Sequence, residues 1–182
     1  MRYHNITKCD VLNGDGVRVV LWLAGCSHHC KNCHNPETWD ENGGLFFDEN
    51  AKKELFEALS ADYIDGITFS GGDPLFCKNR ECVGDLIFEI KQKFPQKTIW
   101  LYTGFLWEQI KDLPFVKNID VLIDGRFEQD KFSPNAKWVG SFNQRIIDVK
   151  KSLKTKSVVL YYQNTDEKIE FDQTKRQIKC DC

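Results

Sequence analysis

Residues 17–33 read VRVVLWLAGCSHHCKNC, an apolar run that leads directly into three closely spaced cysteines. The Val- and Leu-rich part predicts a buried β-strand over residues 17–23. Cys26, Cys30 and Cys33 follow it within a segment of eight residues. A cubane iron–sulfur cluster is normally held by four thiolates, so a set of three leaves one iron without a protein ligand. An open coordination position is typical of a catalytic metal site rather than a structural one.

The same cysteines allow a second interpretation, a zinc knuckle completed by a nearby histidine. Zinc accepts a ligand set of three cysteines and one histidine, and His28, His29 and His34 lie in or beside the cysteine run. In that case the chain would be a zinc-stabilised binding module without redox chemistry. The spacing alone leaves both interpretations open.

The composition predicts one soluble domain. The chain has 182 residues, of which 41% are hydrophobic and 29% charged, as is typical of globular proteins. We expect a single domain over residues 1–182, with a polar tail from 163 to 182. The net charge of −2 gives no indication of nucleic acid or an anionic membrane as a partner. Since the N-terminus has no apolar export segment, we expect a cytoplasmic protein.

Five further cysteines lie outside the run, and they form no second triplet. They are Cys9, Cys77, Cys82, Cys180 and Cys182. Clustered cysteines without an export signal favour a reducing compartment over a disulfide framework. We interpret the five as buried or unused thiols, with a zinc or redox role for Cys77 and Cys82, or for the terminal pair, as the alternative.

Short apolar runs alternate with helical patterns, which favours βα units and a mainly parallel sheet. Strands are predicted over residues 17–23, 66–70, 98–102, 121–123, 145–149 and 157–162, and helices over 49–60, 83–94 and 107–111. Asp48 is predicted to cap the first helix. Polar or glycine-rich residues follow most strands, where loops of parallel sheets build active sites. The chain is short for eight βα units, so we expect an α/β partial barrel that is open on one side and admits a large substrate.

Five segments together resemble one family. They are AGCSHHCKNCHNPETW (24–39), GITFSGGDPL (66–75), WLYTG (100–104), IDVLIDGRF (119–127) and GSFNQRIIDV (140–149). In order and spacing they resemble the activating proteins of anaerobic (class III) ribonucleotide reductases, a branch of the radical S-adenosylmethionine superfamily. The resemblance covers roughly residues 10–160, and the combination is more specific than any single motif. It implies the partial barrel of that superfamily.

The resemblance also implies a cofactor site. Cys26, Cys30 and Cys33 would hold a [4Fe–4S] cluster, and the amino and carboxylate groups of S-adenosylmethionine would bind the fourth iron. The run Gly71-Gly72-Asp73 would contact the methionyl ammonium, because two glycines permit close backbone approach and Asp73 adds negative charge. The spacing of the cysteines is the one found throughout that superfamily.

Four other residues are expected to contact the nucleoside. Asn32 stands where many superfamily members have an aromatic residue, and this position would hold adenine mainly through backbone atoms. Tyr102, Thr103 and Asp148 lie at predicted strand ends, where they would contact ribose or adenine. A structural role at the rim of the site is an equal alternative for these three.

The resemblance implies the following reaction. An electron from flavodoxin, ferredoxin or a similar donor reduces the cluster, and S-adenosylmethionine is cleaved to methionine and a 5′-deoxyadenosyl radical. That radical takes a hydrogen atom from one glycine near the C-terminus of the large reductase subunit. The cofactor supplies the chemistry, and the protein orients it and excludes water. The alternatives are an activase of another glycyl-radical enzyme, or a radical enzyme that acts on a small molecule.

Overall fold

The computed structural model describes residues 1–165, and within this range eight β-strands form a single sheet. The strands are β1 (Arg2–Asp10), β2 (Arg18–Leu23), β3 (Leu45–Phe46), β4 (Gly66–Gly71), β5 (Thr98–Tyr102), β6 (Val121–Asp124), β7 (Arg145–Asp148) and β8 (Leu160–Tyr162). The helices are α1 (Glu49–Leu59), α2 (Arg80–Lys93), α3 (Trp107–Ile110) and α4 (Val149–Thr155). Most of the predicted polar tail, including Cys180 and Cys182, lies outside the described residues.

The sheet is mixed and open, with the strand order β3-β1-β2-β4-β5-β6-β7-β8. The central strands β2, β4, β5 and β6 run parallel to one another. The outer strands pair antiparallel on both sides, so the prediction of a mainly parallel sheet is correct for the centre only. A parallel pair needs a long crossover, usually a helix. Helices α1, α2 and α3 provide such crossovers, whereas no α-helix separates β1 from β2 or β6 from β7.

Both faces of the central strands are buried, as is usual for parallel strands. One face packs against the helices and forms the main core, for example through Leu21, Phe69 and Leu101. The other face carries a smaller cluster around Trp100 and Ile123. This second face is the floor of the functional cleft described below.

Helix α1 begins and ends close to its predicted bounds. Asp48 caps it as predicted, because its carboxylate accepts a hydrogen bond of 2.9 Å from the backbone amide of Ala51. Helix α2 begins at Arg80, three residues before the predicted start at Val83. Among the helices of residues 1–165, none has both the length and the apolar character needed to cross a membrane.

Three of these strands and helices were not predicted: β1, the short strand β3 and helix α4. All three lie in or beside the antiparallel parts of the sheet. Strand β1 is mostly polar and buries few side chains, Tyr3 and Ile6 among them. Helix α4 begins at Val149 and is capped by Asp148, whose carboxylate accepts a 2.9 Å hydrogen bond from the amide of Lys151. The predicted strand over residues 145–149 therefore stops at Asp148, and the strand predicted over 157–162 is reduced to Leu160–Tyr162.

The side chain of Arg18 cross-links the amino ends of β2, β4 and β5. Its side chain is fully buried and donates hydrogen bonds to the Thr68 hydroxyl at 2.7 Å and the Ile67 carbonyl at 2.7 Å. Further bonds go to Thr98 and to the carbonyl of Asp15. Burial lowers the pKa of Arg18 to about 10, since the charged form loses its hydration.

Candidate functional site

A cleft of about 450 Å³ lies at the carboxyl ends of the central strands. The loops that follow β2, β4, β5 and β6 all contribute to its lining. Eight of the ten residues that the sequence predicts for the site line this cleft: Cys26, Cys30, Cys33, Gly71, Gly72, Asp73, Tyr102 and Thr103. Four separate segments of the chain therefore meet at one place, as expected for the carboxyl edge of a parallel sheet.

Asp148 is not brought to the cleft. Strand β7 runs antiparallel to β6, so that Arg145 pairs with Asp124 at the cleft edge and Asp148 pairs with Val121 at the opposite edge. The carboxylate of Asp148 instead caps α4. The sequence prediction assumed a parallel β7, which would have put its last residue beside the cleft.

Asn32 lies in the loop of residues 26–33, called the cysteine loop from here on, but it does not line the cleft. Its backbone is left-handed, with φ of 56°. Asparagine is among the non-glycine residues that adopt this conformation most readily. The side chain that stands here therefore suits the turn between Cys30 and Cys33.

The cysteine loop is anchored where it begins, through Gly25 and Cys26. The amide of Gly25 donates a 2.8 Å hydrogen bond to the carbonyl of Thr38, and the amide of Cys26 donates to that of Trp39 at 3.2 Å. The carbonyl of Gly25 in turn accepts a 2.8 Å bond from the amide of Asp73. The start of the loop is thus fixed between the following chain segment and the end of β4.

Cys26 is a free, half-buried thiol at the wall of the cleft. Burial raises its pKa, and hydrogen bonds from the backbone amides of His28 and His29 oppose this effect. The metal-free protein therefore keeps the proton on this sulfur, and a bound metal displaces it. Amide donors at a sulfur also stabilise the thiolate form and tune the potential of an iron–sulfur cluster.

Cys30 and Cys33 have similar surroundings. Burial raises the pKa of Cys30, while the backbone amide of Phe127 and the charge of Arg126 favour its thiolate. The amide of Asn35 donates to the sulfur of Cys33 at 3.4 Å. All three sulfurs thus combine partial burial with nearby backbone amides, a donor set that suits an iron–sulfur cluster.

The arrangement of the donor side chains does not match a single zinc ion. Within residues 1–165, no group of three or more His, Cys, Asp or Glu side chains is placed to hold one metal ion. A cubane makes a weaker demand, because each thiolate binds a different iron and the sulfurs need not converge on one point. The three cysteines therefore fit a cluster better than the zinc knuckle that their spacing alone allowed.

The two glycines at the end of β4 let it pack directly against the end of β2 and the chain segments on either side of the cysteine loop. Gly71 has φ of 100°, and a Cβ there would lie 2.6 Å from the backbone of Leu23. A Cβ on Gly72 would lie 2.5 Å from the carbonyl oxygen of Gly25 and 2.8 Å from that of Thr38. Because these contacts are with backbone atoms, a residue with a Cβ atom at either position fits only if the neighbouring main chain moves.

Asp73 is the centre of a buried hydrogen-bond network. Asp73 is only 1% exposed. Its carboxylate accepts hydrogen bonds from the Thr103 hydroxyl at 2.9 Å, the Gly104 amide at 3.0 Å and the Leu75 amide at 2.8 Å. The Nε2 atom of His28 lies 2.6 Å from the second carboxylate oxygen. We call these five residues the Asp73 hub. It uses the carboxylate for contacts inside the protein, a role that the sequence did not indicate.

Tyr102 and Trp138 form another wall of the cleft. The Tyr102 hydroxyl donates a 2.9 Å hydrogen bond to the carbonyl of Trp138, and burial raises its pKa. Trp138 has φ of 61°, which is uncommon for a bulky residue. Its ring packs edge-on against Trp100 at 4.9 Å. No sequence motif had indicated Trp138 as part of the site.

The known proteins that this chain resembles agree with an iron–sulfur site in the cleft. Residues 12–147 match the family model of the 4Fe-4S single cluster domain. The chain is 47% identical over 147 residues to the anaerobic ribonucleoside-triphosphate reductase-activating protein of Enterobacteria phage T4, covering 80% of this chain and 93% of the phage protein. It is 37% identical over 155 residues to the protein of that name from Pasteurella multocida, covering 80% of this chain and 96% of the relative. The match to the one from Escherichia coli K12 is 36% identical over 148 residues, covering 79% and 96%.

These matches extend far beyond the cysteine loop. The matched region of the family model includes every strand from β2 to β6 and nearly all of β7. The cysteines, the glycine motif and the Asp73 hub all lie within it. The chain therefore belongs to the family of anaerobic ribonucleoside-triphosphate reductase-activating proteins, which the sequence resemblance had indicated.

Proposed function

We propose that this protein activates an anaerobic ribonucleotide reductase by generating a glycyl radical on it, with a [4Fe–4S] cluster and S-adenosylmethionine as cofactors. The observation that carries the proposal is the meeting of three free cysteines with the glycine motif in one cleft. Family membership supplies the reaction, since the relatives are named as activating proteins of this reductase.

Cys26, Cys30 and Cys33 are the proposed cluster ligands. When bound, the cluster supplies the electron that cleaves S-adenosylmethionine into methionine and a carbon radical. The cysteine loop contributes the three thiolates, and its backbone amides stabilise their negative charge. No protein side chain is assigned to a fourth ligand position, which is left for the amino and carboxylate groups of S-adenosylmethionine.

The end of β4 is the proposed binding element for the methionyl group. Gly71 and Gly72 line the cleft and have no side chain, so only their main chain is available to a ligand there. The cleft volume of about 450 Å³ lies in the range of small-molecule sites. Tyr102 and Trp138 bound the cleft with aromatic surface, which suits the exclusion of water from a reactive intermediate.

The partner is proposed to be the large subunit of the reductase, which presents a glycine on a loop. We further propose that the open sheet is a partial barrel of the radical S-adenosylmethionine type, so that its open side admits this loop. Flavodoxin or a ferredoxin-like protein is the proposed electron donor. The single sheet of residues 1–165 supports one domain, and free thiols together with a cluster favour the reducing cytoplasm.

Anaerobic purification and metal analysis test the cofactor. We expect brown protein with about four irons and four sulfides per chain. Cys30→Ala should abolish the formation of 5′-deoxyadenosine from S-adenosylmethionine and a reductant. The matched control Cys77→Ala removes an exposed thiol and should leave it largely intact. Turnover in Cys30→Ala would contradict the ligand assignment, and a colourless zinc protein would end the radical interpretation.

Electron paramagnetic resonance tests the partner. Reduced protein and S-adenosylmethionine are mixed either with anaerobic ribonucleotide reductase or with another glycyl-radical enzyme. We expect the doublet of a glycyl radical in the first mixture. A signal with the other enzyme only would reassign the protein to a different partner.

A further inference from the structure

The imidazole of His28 connects the cysteine loop to the strands behind it. His28 lies between Cys26 and Cys30, and its side chain is only 5% exposed. Its Nε2 atom is 2.6 Å from Oδ2 of Asp73, 45 residues further along the chain. The ring also packs edge-on against Phe105, with 4.8 Å between the ring centroids.

Through Asp73, His28 is joined to two strand ends at once. Asp73 follows β4, and its carboxylate also binds the hydroxyl of Thr103 and the amide of Gly104, which follow β5. These strand ends carry the glycine motif and the nucleoside-contact candidates. The position of the cysteine loop is therefore coupled to the surface proposed to bind S-adenosylmethionine.

The remainder of the cysteine loop has few ties of this kind. Its first residues are fixed by the backbone bonds of Gly25 and Cys26. Of the side chains in residues 27–32 other than the cysteine, only that of His28 makes a hydrogen bond to the rest of the described chain. His29 and Lys31, in the same loop, are exposed.

A second feature also connects His28 with the cleft. Its Nδ1 atom is buried and has no hydrogen-bond partner within the described residues, although the side chain lines the cleft. Buried polar atoms are nearly always paired, so an unpaired one at a cofactor site needs an explanation. A site that is completed by a bound group accounts for it.

We propose that His28 is a positioning residue, whose bond to Asp73 fixes the cysteine loop so that the open iron of the cluster faces the strand ends that bind S-adenosylmethionine. The inference rests on the proposed function and deepens it. This role assigns no bond between His28 and a cluster iron. It acts through Asp73 and through the cysteines on either side of it.

Thiol alkylation of the metal-free protein provides a test that needs neither cluster nor activity. Wild type, His28→Ala, His28→Gln and the control Lys31→Ala are alkylated anaerobically, and each cysteine is followed by mass spectrometry. The exposed Cys9 and Cys77 serve as internal references. We expect the thiols of the cysteine loop to react about tenfold faster in His28→Ala, because a hydrogen bond to a carboxylate shifts an equilibrium by about that factor or more.

The other two variants make the result specific. Gln keeps an amide N–H that can donate to Asp73, so His28→Gln should return the rates toward those of the wild type. Lys31→Ala should match the wild type, since this side chain is exposed. Equal loop-thiol rates in wild type and His28→Ala would overturn the inference.

The second arm measures S-adenosylmethionine binding to the cluster-loaded proteins by equilibrium dialysis. For His28→Ala with the same iron and sulfide content as wild type, we expect a dissociation constant raised about tenfold, and partial recovery in His28→Gln. If its loop is loosened but its affinity is unchanged, the positioning role is refuted. If His28→Ala cannot hold iron, the alkylation arm decides. A wild-type protein without cluster or without S-adenosylmethionine binding would refute the proposed function, while the alkylation result for His28 would stand by itself.

Discussion

Replacing Gly104 by alanine perturbs the Asp73 hub without changing the two side chains that form its shortest contact. A Cβ at this position would lie 2.4 Å from Cδ2 of His28, 2.6 Å from Nε2 and 2.8 Å from Cγ. Ordinary contacts begin near 3.4 Å, so the ring must move by roughly 1 Å. Since the ring is bound to Asp73 at 2.6 Å and packed on Phe105, such a shift weakens the bond to Asp73.

The expected cost combines two effects. Overpacking of a buried site costs about 1–3 kcal/mol, and a weakened hydrogen bond to a carboxylate adds about 1–2 kcal/mol. We therefore expect Gly104→Ala to lower the free energy of unfolding by about 2–5 kcal/mol. Backbone strain adds nothing, because Gly104 is not among the glycines with positive φ.

The double variant separates this mechanism from a general effect of alanine. All three of the nearest atoms to a Cβ at Gly104 belong to the ring of His28. In the His28→Ala background the ring is gone, so Gly104→Ala should cost almost nothing further. The double variant should then lose only as much free energy of unfolding as His28→Ala alone. The difference from additive losses is an interaction energy of about 2 kcal/mol or more.

Urea unfolding of the metal-free proteins under reducing conditions measures all four corners of this cycle. Equal m-values across the set allow the free energies to be compared directly. Additive losses in the double variant would show that Gly104→Ala acts at some place other than His28. That outcome would refute the clash and with it the rigidity that we assign to the hub.

Two further predictions concern charged pairs away from the cysteine loop. Arg145→Met leaves the fully buried carboxylate of Asp124 without its cationic partner, so we expect urea unfolding to show a free energy of unfolding lowered by about 3–5 kcal/mol. For Lys131→Met, whose side chain is exposed, this loss should be less than about 1 kcal/mol, and equal losses would contradict the role of Asp124 burial. Burial acts to raise the pKa of Asp120, but hydrogen bonds from two lysines, Lys91 among them, outweigh it and leave this pKa lowered. The stability from this pair is therefore present above the unfolded pKa of about 4 and is lost as the pH falls through the folded value. The deficit in the unfolding free energy of Lys91→Met relative to wild type should shrink as the pH falls below about 4, and a constant deficit would contradict the ion pair.

The central strands could be predicted from the sequence because each is a short apolar run with a turn signal at its end. The start of β2 and the ends of β4 and β6 lie within one residue of the predictions, and β5 has its predicted bounds. Strand β1 escaped because its residues are mainly polar and it depends on pairing with β2. The direction of β7 was not predicted because a strand pattern carries no information about parallel or antiparallel pairing.

The candidate site divides in the same way. The cysteines form one short motif and the glycines another, so each could be recognised from its spacing in the sequence. The bond between His28 and Asp73 spans 45 residues, and that between Thr103 and Asp73 spans 30. Such pairs depend on how the strands are assembled, and a single sequence without the fold does not reveal them. Asp148 shows the opposite error, a residue assigned to the site from strand-end position alone.

The proposed iron ligands are neighbours along the chain, whereas the cleft around them is built from distant segments, and this separates two events in biosynthesis. A growing polypeptide contains all three proposed ligands once residue 33 has been added, before β4, β5 and β6 have been synthesised. Metal capture can thus precede folding, while recognition of the nucleoside cannot. Until the later strands arrive, these three thiols lack the walls of the cleft, so assembly of the proposed cluster on an incomplete chain would require the exclusion of dioxygen.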